Sequence, residues 1–371
     1  MDFSFTEAED GIAELAHTIL TDHTSNDRLK DHERSGAPYD TDLWRALADA
    51  EVLSAGLPAS LGGSDLGFVG LARVLEEVAK TVAPVPAFAS LVLGACTLLD
   101  VDPVAHADRI VAIGRGALLA TGAIEELASR RLDRPTTRAV GSGSGVRLQG
   151  TKTNVAFGIQ ADVMIVTAAD EAGTPGVYLV DAATNRNAID CAPLRTSDSL
   201  PHAQVHFTDT PATPLGGADS LRALVENAIA ARCVMAVGVA ARALEMTASY
   251  GRERQQFDRP IGSFQAFHMR AADAYIQVEA MRLTAWDAVW RLAIGEPAAD
   301  AVAVAKICAA EAGHITGYAT QHLHGGIGID VDYPLHRYFQ WSIQLQHALG
   351  SGHDHLAELG ATIAARSLPF V

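Results

Sequence analysis

The chain has 371 residues, 49% apolar and 19% charged, with a formal net charge of −16. That length exceeds one simple core and points to two or three packed lobes, and the composition excludes disorder. The acidic balance argues against a nucleic-acid or anionic-membrane partner.

Cys96, Cys191, Cys233 and Cys308 lie far apart with no C-x-x-C spacing. This argues against a zinc or dithiol site and reads as four buried thiols in a reducing compartment. The N-terminus, MDFSFTEAEDGIAEL, lacks the basic-then-apolar order of a signal peptide, and no uninterrupted apolar run reaches membrane-spanning length. A soluble cytoplasmic protein, without a membrane partner, is expected.

In chain order, residues 5–100 read as helices. Thr6, with Glu7 and Asp10 behind it, caps a helix carrying Ile12, Leu15 and Ile19. Asp42 to Leu53 is a second, with Leu43, Leu47 and Ala50 on one face, before the turn-rich GLPASLGG. Phe68 to Ala79 and Phe88 to Leu99 complete a helical lobe. From about Gly114 the period shortens. Ala117–Thr121, Gly145–Leu148, Val163–Val166, Gly176–Val180 and Val205–Phe207 are strand-like runs separated by Gly, Ser, Thr and Asp clusters at hairpin spacing. They predict a small antiparallel β-domain. From Ser220 the pattern is helical again over 220–250, 264–292, 297–322, 335–348 and 351–367, which predicts a bundle. The expected division is 1–113, 114–217 and 218–371.

One stretch, Ala240 to Arg282, organises the rest. Leu244, Met246 and Tyr250 have helical spacing. A polar break from Arg252 to Arg259 ends at Pro260, and a second helical pattern runs through Met269, Ala272, Tyr275, Ile276 and Met281. In that corner Arg254 offers a bidentate fork to a phosphate, Phe257 a flat apolar face, and Gln265 a polar reader of a ring edge. The residues alone allow an anion-plus-ring site or a solvated interhelical turn.

The run Tyr250-x-x-x-Arg254-x-x-Phe257-x-x-Pro260-Ile261-x-x-Phe264-Gln265 resembles the acyl-CoA dehydrogenase signature. LWRALADAEVLSAGLPASLGGSDLG resembles the family's first lobe, and the helix, β-domain and bundle order covers essentially the whole chain. The resemblance implies an α+β fold of N-terminal helical domain, middle antiparallel β-domain and C-terminal four-helix-type bundle. It also implies FAD shared across a subunit interface. On the partner-facing side it assigns Arg254, Phe257 and Gln265. His322-Leu323-His324-Gly325-Gly326-Ile327-Gly328 resembles the family's Q-L-H-G-G-x-G, so Gly325 and Gly326 join that set. His322 stands at the family's Gln position, with Gln321 one residue earlier. Adjacent glycines let a backbone approach an adenosine diphosphate closely.

The flavin-ring half departs from the family. Where members carry T-E-P-x-x-G-S-D, this chain has Thr121-Gly122-Ala123-Ile124-Glu125-Glu126, and where they carry K-x-W it has Lys152-Thr153-Asn154. A small amide replaces the stacking ring, which removes contacts worth roughly 0.5–1.5 kcal/mol each. The family's chemistry needs a carboxylate to take the α-proton of a thioester. Its commonest position, sixteen residues after the Tyr of Tyr-Pro, is Leu349, and a second, twenty-six residues ahead of the motif's Arg, is Ala228. Glu226 is near, but two helical residues turn it about 200° away. Glu358, in the last helix, and His353 and His355, near a helix start, are expected at the surface, and no histidine pair has convincing metal-ligand spacing.

The pattern resembles the non-catalytic subunit of the actinobacterial heteromeric (α2β2) acyl-CoA dehydrogenases of steroid side-chain degradation. That implies no catalytic base in this chain and a catalytic partner subunit that brings the ring pocket and the glutamate. It further implies a steroid side-chain acyl-CoA as substrate and an electron-transfer flavoprotein as acceptor. Two rivals are a self-sufficient homotetramer using Glu226 as base and a flavin-free scaffold or thioester-binding protein.

Overall fold

The structure, a computed structural model, describes residues 4–127, 129–141 and 145–366. Its first lobe begins with α1 (Glu7–His23), where Thr6 and Glu9 form a reciprocal capping box. The buried stripe of α1 is Ala13, Ala16 and Leu20, while Leu15 faces out. Next come α2 (Asn26–Ser35), absent from the sequence reading, and α3 (Thr41–Asp49). α3 ends four residues before Leu53 because Glu51 adopts a left-handed conformation and a 3₁₀ turn follows. α4 (Gly67–Lys80) leads to a segment expected as an ordinary helix. It is a π-helix over Phe88–Cys96 that continues as α5 (Thr97–Val101). A long π-helical run is rare. α6 (Ala107–Gly114) closes the lobe.

The middle lobe holds β1 (Ala120–Ala123), β2 (Arg138–Val140), β3 (Arg147–Ala156), β4 (Val163–Ala169), β5 (Pro175–Asp181), β6 (Ile189–Leu194), β7 (His202–Pro211) and β8 (Thr213–Gly216). They form one sheet in the order β6-β7-β3-β2-β4-β5-β8, with β1 also on β4. Most pairs are antiparallel, but β1 runs parallel to β4, with Ala120 opposite Val163. β2, β6 and β8, of three, six and four residues, are the strands the sequence reading missed. One face packs Leu148, Val155, Met164, Val166, Val205 and Phe207 into a core of its own. Inside it Lys152 is fully buried against Glu126 at 2.7 Å, and Glu126 also accepts from the N–H and hydroxyl groups of Thr136 and Thr137. Those partners hold the Glu126 carboxyl down to about 2 against the opposing pull of burial.

The last lobe consists of α7 (Ala218–Glu253), a hairpin of β9 (Gln255–Gln256) and β10 (Arg259–Pro260), α8 (Gln265–Ala293), α9 (Ala299–His324), α10 (Leu335–His347) and α11 (Gly352–Ala365). These are the five helices read from periodicity. Residue 367, included in the last one, lies outside the described residues. By length and composition α7 is the one described helix apolar enough to cross a membrane, although Arg232 interrupts its apolar run, and most of its apolar window is buried in the fold. It is the central helix of a core that spans the first and last lobes. α4 crosses it so closely that a Cβ on Gly238 would stand 2.4 Å from the Glu76 carbonyl. Ion pairs tie the same lobes: Arg282 to Glu76 at 2.8 Å, and Arg337 bidentate to Glu33. All four cysteines are free, but only Cys233 is buried, which corrects the expectation of four buried thiols.

Candidate functional site

The predicted residues fall into two places. The first is an outward corner. α7 stops at Glu253, and the backbone N–H of Ile261 closes the hairpin onto the Arg254 carbonyl. Phe257 and Asp258 at its tip both have positive φ (54° and 62°), the geometry of a type I′ turn that favours Asn and Gly. A phenylalanine held there, 86% exposed, is strained and unburied, so packing does not account for it. Arg254 is exposed and has no ion pair among the described residues, and Gln265 is exposed at the first turn of α8. Nearby, Arg259 lies over the Phe264 ring at 4.1 Å.

At the end of α9, His322, Gly325 and Gly326 are not buried. Neither glycine has an atom within 4 Å of where a Cβ would sit, so the backbone there is open to a ligand. Gln321 tucks inward instead: its Oε1 is buried without a partner, and a Cβ on Gly328 would stand 2.6 Å from it. His324 is buried between Thr320 and Tyr333 and stacks on Tyr250, which fixes the turn to α7. An open glycine turn, an unpaired guanidinium and a bare aromatic face suit a phosphate-bearing nucleotide.

The second place is the interior, where the β-domain meets α7 and α10. Leu349, with φ of 59°, is buried and faces Asn154, Glu125, Phe88 and Arg232 around a void of about 20 Å³. A cofactor pocket needs on the order of 300 Å³ or more. The residues at the ring position therefore do not fit a flavin ring. Glu125 and Arg232 are site residues that sequence reasoning did not single out. Glu125 follows β1 and bonds Asn154 at 2.7 Å; burial pushes its carboxyl up, with Asn154 and the Leu349 N–H opposing. Arg232, buried on α7, lies 3.8 Å from the Phe88 ring centroid, and its Nε has no partner. The signal for both was a charged residue inside an apolar helix or strand end. Lys306 shows the same signal, a buried ammonium pulled down to about 8 by desolvation, bonded to the carbonyls of Leu345 and Ala348 at 2.8 Å each.

Ala228 is fully buried on α7, and neither it nor Glu226 lines that void. Glu226 is half-buried, its carboxyl pushed up by burial, on the wall of a separate cavity of about 400 Å³ beside Asp100 and Asn227. One surface expectation is corrected. His355 is buried and bonds the Leu349 carbonyl at 2.8 Å, because Gly350 folds the chain back over it. Glu358 lies at the surface as expected, its side chain 38% exposed, and pairs with Arg131 at 3.0 Å. Among the described residues no group of three or more His, Cys, Asp or Glu side chains could hold a metal ion.

The sequence matches the models for the acyl-CoA dehydrogenase N-terminal domain over residues 6–101 and C-terminal domain over 217–362. It is 35% identical to acyl-CoA dehydrogenase FadE27 of Mycobacterium tuberculosis, covering 98% of this chain and 99% of that one. Among solved structures it superposes on a chain of the ChsE4–ChsE5 complex from Mycobacterium tuberculosis, with a TM-score of 0.93, 35% identity and 100% of each chain covered. A chain of a variant of the Tcur3481–Tcur3483 steroid ACAD gives 0.92, with 37% identity over 97% of this chain and 99% of that one. Members of the family bind FAD.

Proposed function

This chain belongs to the acyl-CoA dehydrogenase family, and we propose that within it the chain is the non-catalytic subunit of a heteromeric enzyme. The observation that carries the reading is Leu349. It stands at the family's base position, buried, in a void too small for a ring. The chain therefore brings neither a base nor a ring pocket, while its outward corner keeps the groups for the other side of a shared FAD.

When bound, the flavin supplies hydride acceptance from the β-carbon of an acyl-CoA, opposite the carboxylate that takes the α-proton. In this reading both the flavin ring and the carboxylate sit on the partner subunit. Arg254 holds the pyrophosphate, Phe257 covers the flavin's apolar edge, and Gln265, His322, Gly325 and Gly326 receive the adenosine side. The assembly is an α2β2 heterotetramer with one flavin per heterodimer, working in the cytoplasm on a steroid side-chain acyl-CoA and passing electrons to an electron-transfer flavoprotein. Support comes from the two solved relatives, one a ChsE4–ChsE5 complex and the other a Tcur3481–Tcur3483 steroid ACAD.

The test is to purify the chain alone and with its partner and to measure flavin absorbance per heterodimer. The expected result is no flavin on the chain alone, one per heterodimer, and loss of flavin with Arg254→Ala. Stoichiometric flavin on the chain alone, or full retention in the Arg254→Ala complex, refutes the reading.

A further inference from the structure

The void under Leu349 is closed by directed bonds as well as by bulk. Three segments meet there: the residues after β1, the far half of β3, and α10 with the loop behind it. Asn154 Nδ2 donates to Glu125 at 2.7 Å, Gln344 Nε2 donates to Asn154 Oδ1 at 3.1 Å, and the Leu349 N–H donates to Glu125. From below, His355 holds the Leu349 carbonyl. Leucine rarely adopts a φ of 59°, and such a conformation persists where its surroundings over-determine it. Asn154 also has positive φ, which asparagine tolerates better than most residues.

Loss of a base alone would leave the ring space open or wet. Here a carboxylate, two amides and a backbone N–H match one another donor to acceptor across the seam between β-domain and bundle. We propose, resting on the complementing-subunit reading, that Glu125, Asn154 and Gln344 are a polar latch that holds Leu349 in the ring space and excludes a flavin ring from this chain. They are positioning residues acting through Leu349, and they determine specificity by confining the assembly to one of its two potential flavin sites. A matched set of this kind is lost when any one acceptor or donor is removed, because the remaining buried groups are then unsatisfied.

Lumiflavin carries the ring without phosphate or adenosine, so it probes the ring space independently of the outward corner. It is titrated into the purified full-length chain, and binding is read from fluorescence quenching and the shift of its visible band. The wild-type chain is expected to show no saturable binding. The double variant Glu125→Ala/Leu349→Gly is expected to bind lumiflavin saturably and stoichiometrically. Saturable binding by the wild type overturns the proposal. So does a double variant that keeps its helical circular dichroism and cooperative melting yet binds none.

If the double variant does not fold, Glu125→Gln takes its place, keeping the size but setting an amide against the Asn154 amide. Amide exchange across residues 344–352 is then expected to quicken by about tenfold or more, and unchanged exchange overturns the latch. Failure of the complementing-subunit reading shows separately, as full flavin retention in the Arg254→Ala complex, whatever lumiflavin does.

Discussion

Replacing Lys306 with methionine removes an ammonium that anchors the end of α10 just before Leu349. Its two shortest bonds, to the carbonyls of Leu345 and Ala348, are 2.8 Å each, and a third reaches Gln346 at 3.3 Å. Bonds to a charged group contribute about 1.5–3 kcal/mol each, so the two short ones stabilise by roughly 3–6. Burial opposes them. It brings the ammonium from 10.5 to about 8, a cost of about 3 kcal/mol. The difference, together with carbonyls left buried without a donor, gives a net loss of about 2 kcal/mol at pH 7.5. In urea that lowers the midpoint by about 0.7 M for a slope near 3 kcal/mol/M.

The pH dependence has a definite sign. Between pH 8 and 10.5 the unfolded chain keeps the Lys306 proton and the folded chain does not, so wild-type stability rises with pH through that window. The methionine variant lacks this contribution. The gap between the two therefore widens by about 1.5 kcal/mol from about pH 8 to 9.5. Urea titrations of both proteins at about pH 7.5, 8 and 9.5, followed by circular dichroism, measure it. Equal midpoints at the lowest pH, or a gap that narrows as pH rises, refute the assignment of Lys306 as a buried charged cap.

Two other substitutions probe the outward surface. Phe257→Gly relieves the positive φ at the hairpin tip and deletes a side chain that packs on little, so stability should hold or rise by about 1 kcal/mol. Flavin retained by the complex should nevertheless fall, as read from the absorbance ratio after gel filtration. Met269, Ile276 and Leu283 repeat every seven residues along α8 and are 60%, 61% and 72% exposed, an apolar stripe on one face. Leu283→Asp should leave the melting temperature of the isolated chain within about 2 °C while lowering the mass of its assemblies in light scattering.

Much of this molecule was legible in the sequence. The five bundle helices have long 3.6-residue periods and clear Pro or Gly breaks, and periodic burial is a local signal. The corner that carries Arg254, Phe257 and Gln265 is contiguous in sequence, so its residue types and spacing identified it without coordinates. The absence of a carboxylate at Leu349 and Ala228 could likewise be counted.

Tertiary structure decided the rest. α2 and the strands β2, β6 and β8 form because neighbours pair with or cover them, so their own patterns were too weak to read. Helical spacing on α8 did not tell which side is core: Met269, Ile276 and Leu283 face out, while Ala274, Val278, Met281, Ala285, Ala288 and Val289 turn inward. His355 looked like a surface residue until Gly350 folded it under Leu349. Above all, Glu125, Asn154, Gln344 and Leu349 lie up to 224 positions apart (349 − 125), and no pattern in the sequence joins them. Only folding brings donor to acceptor, because hydrogen bonds depend on distances of about 3 Å that sequence separation does not encode.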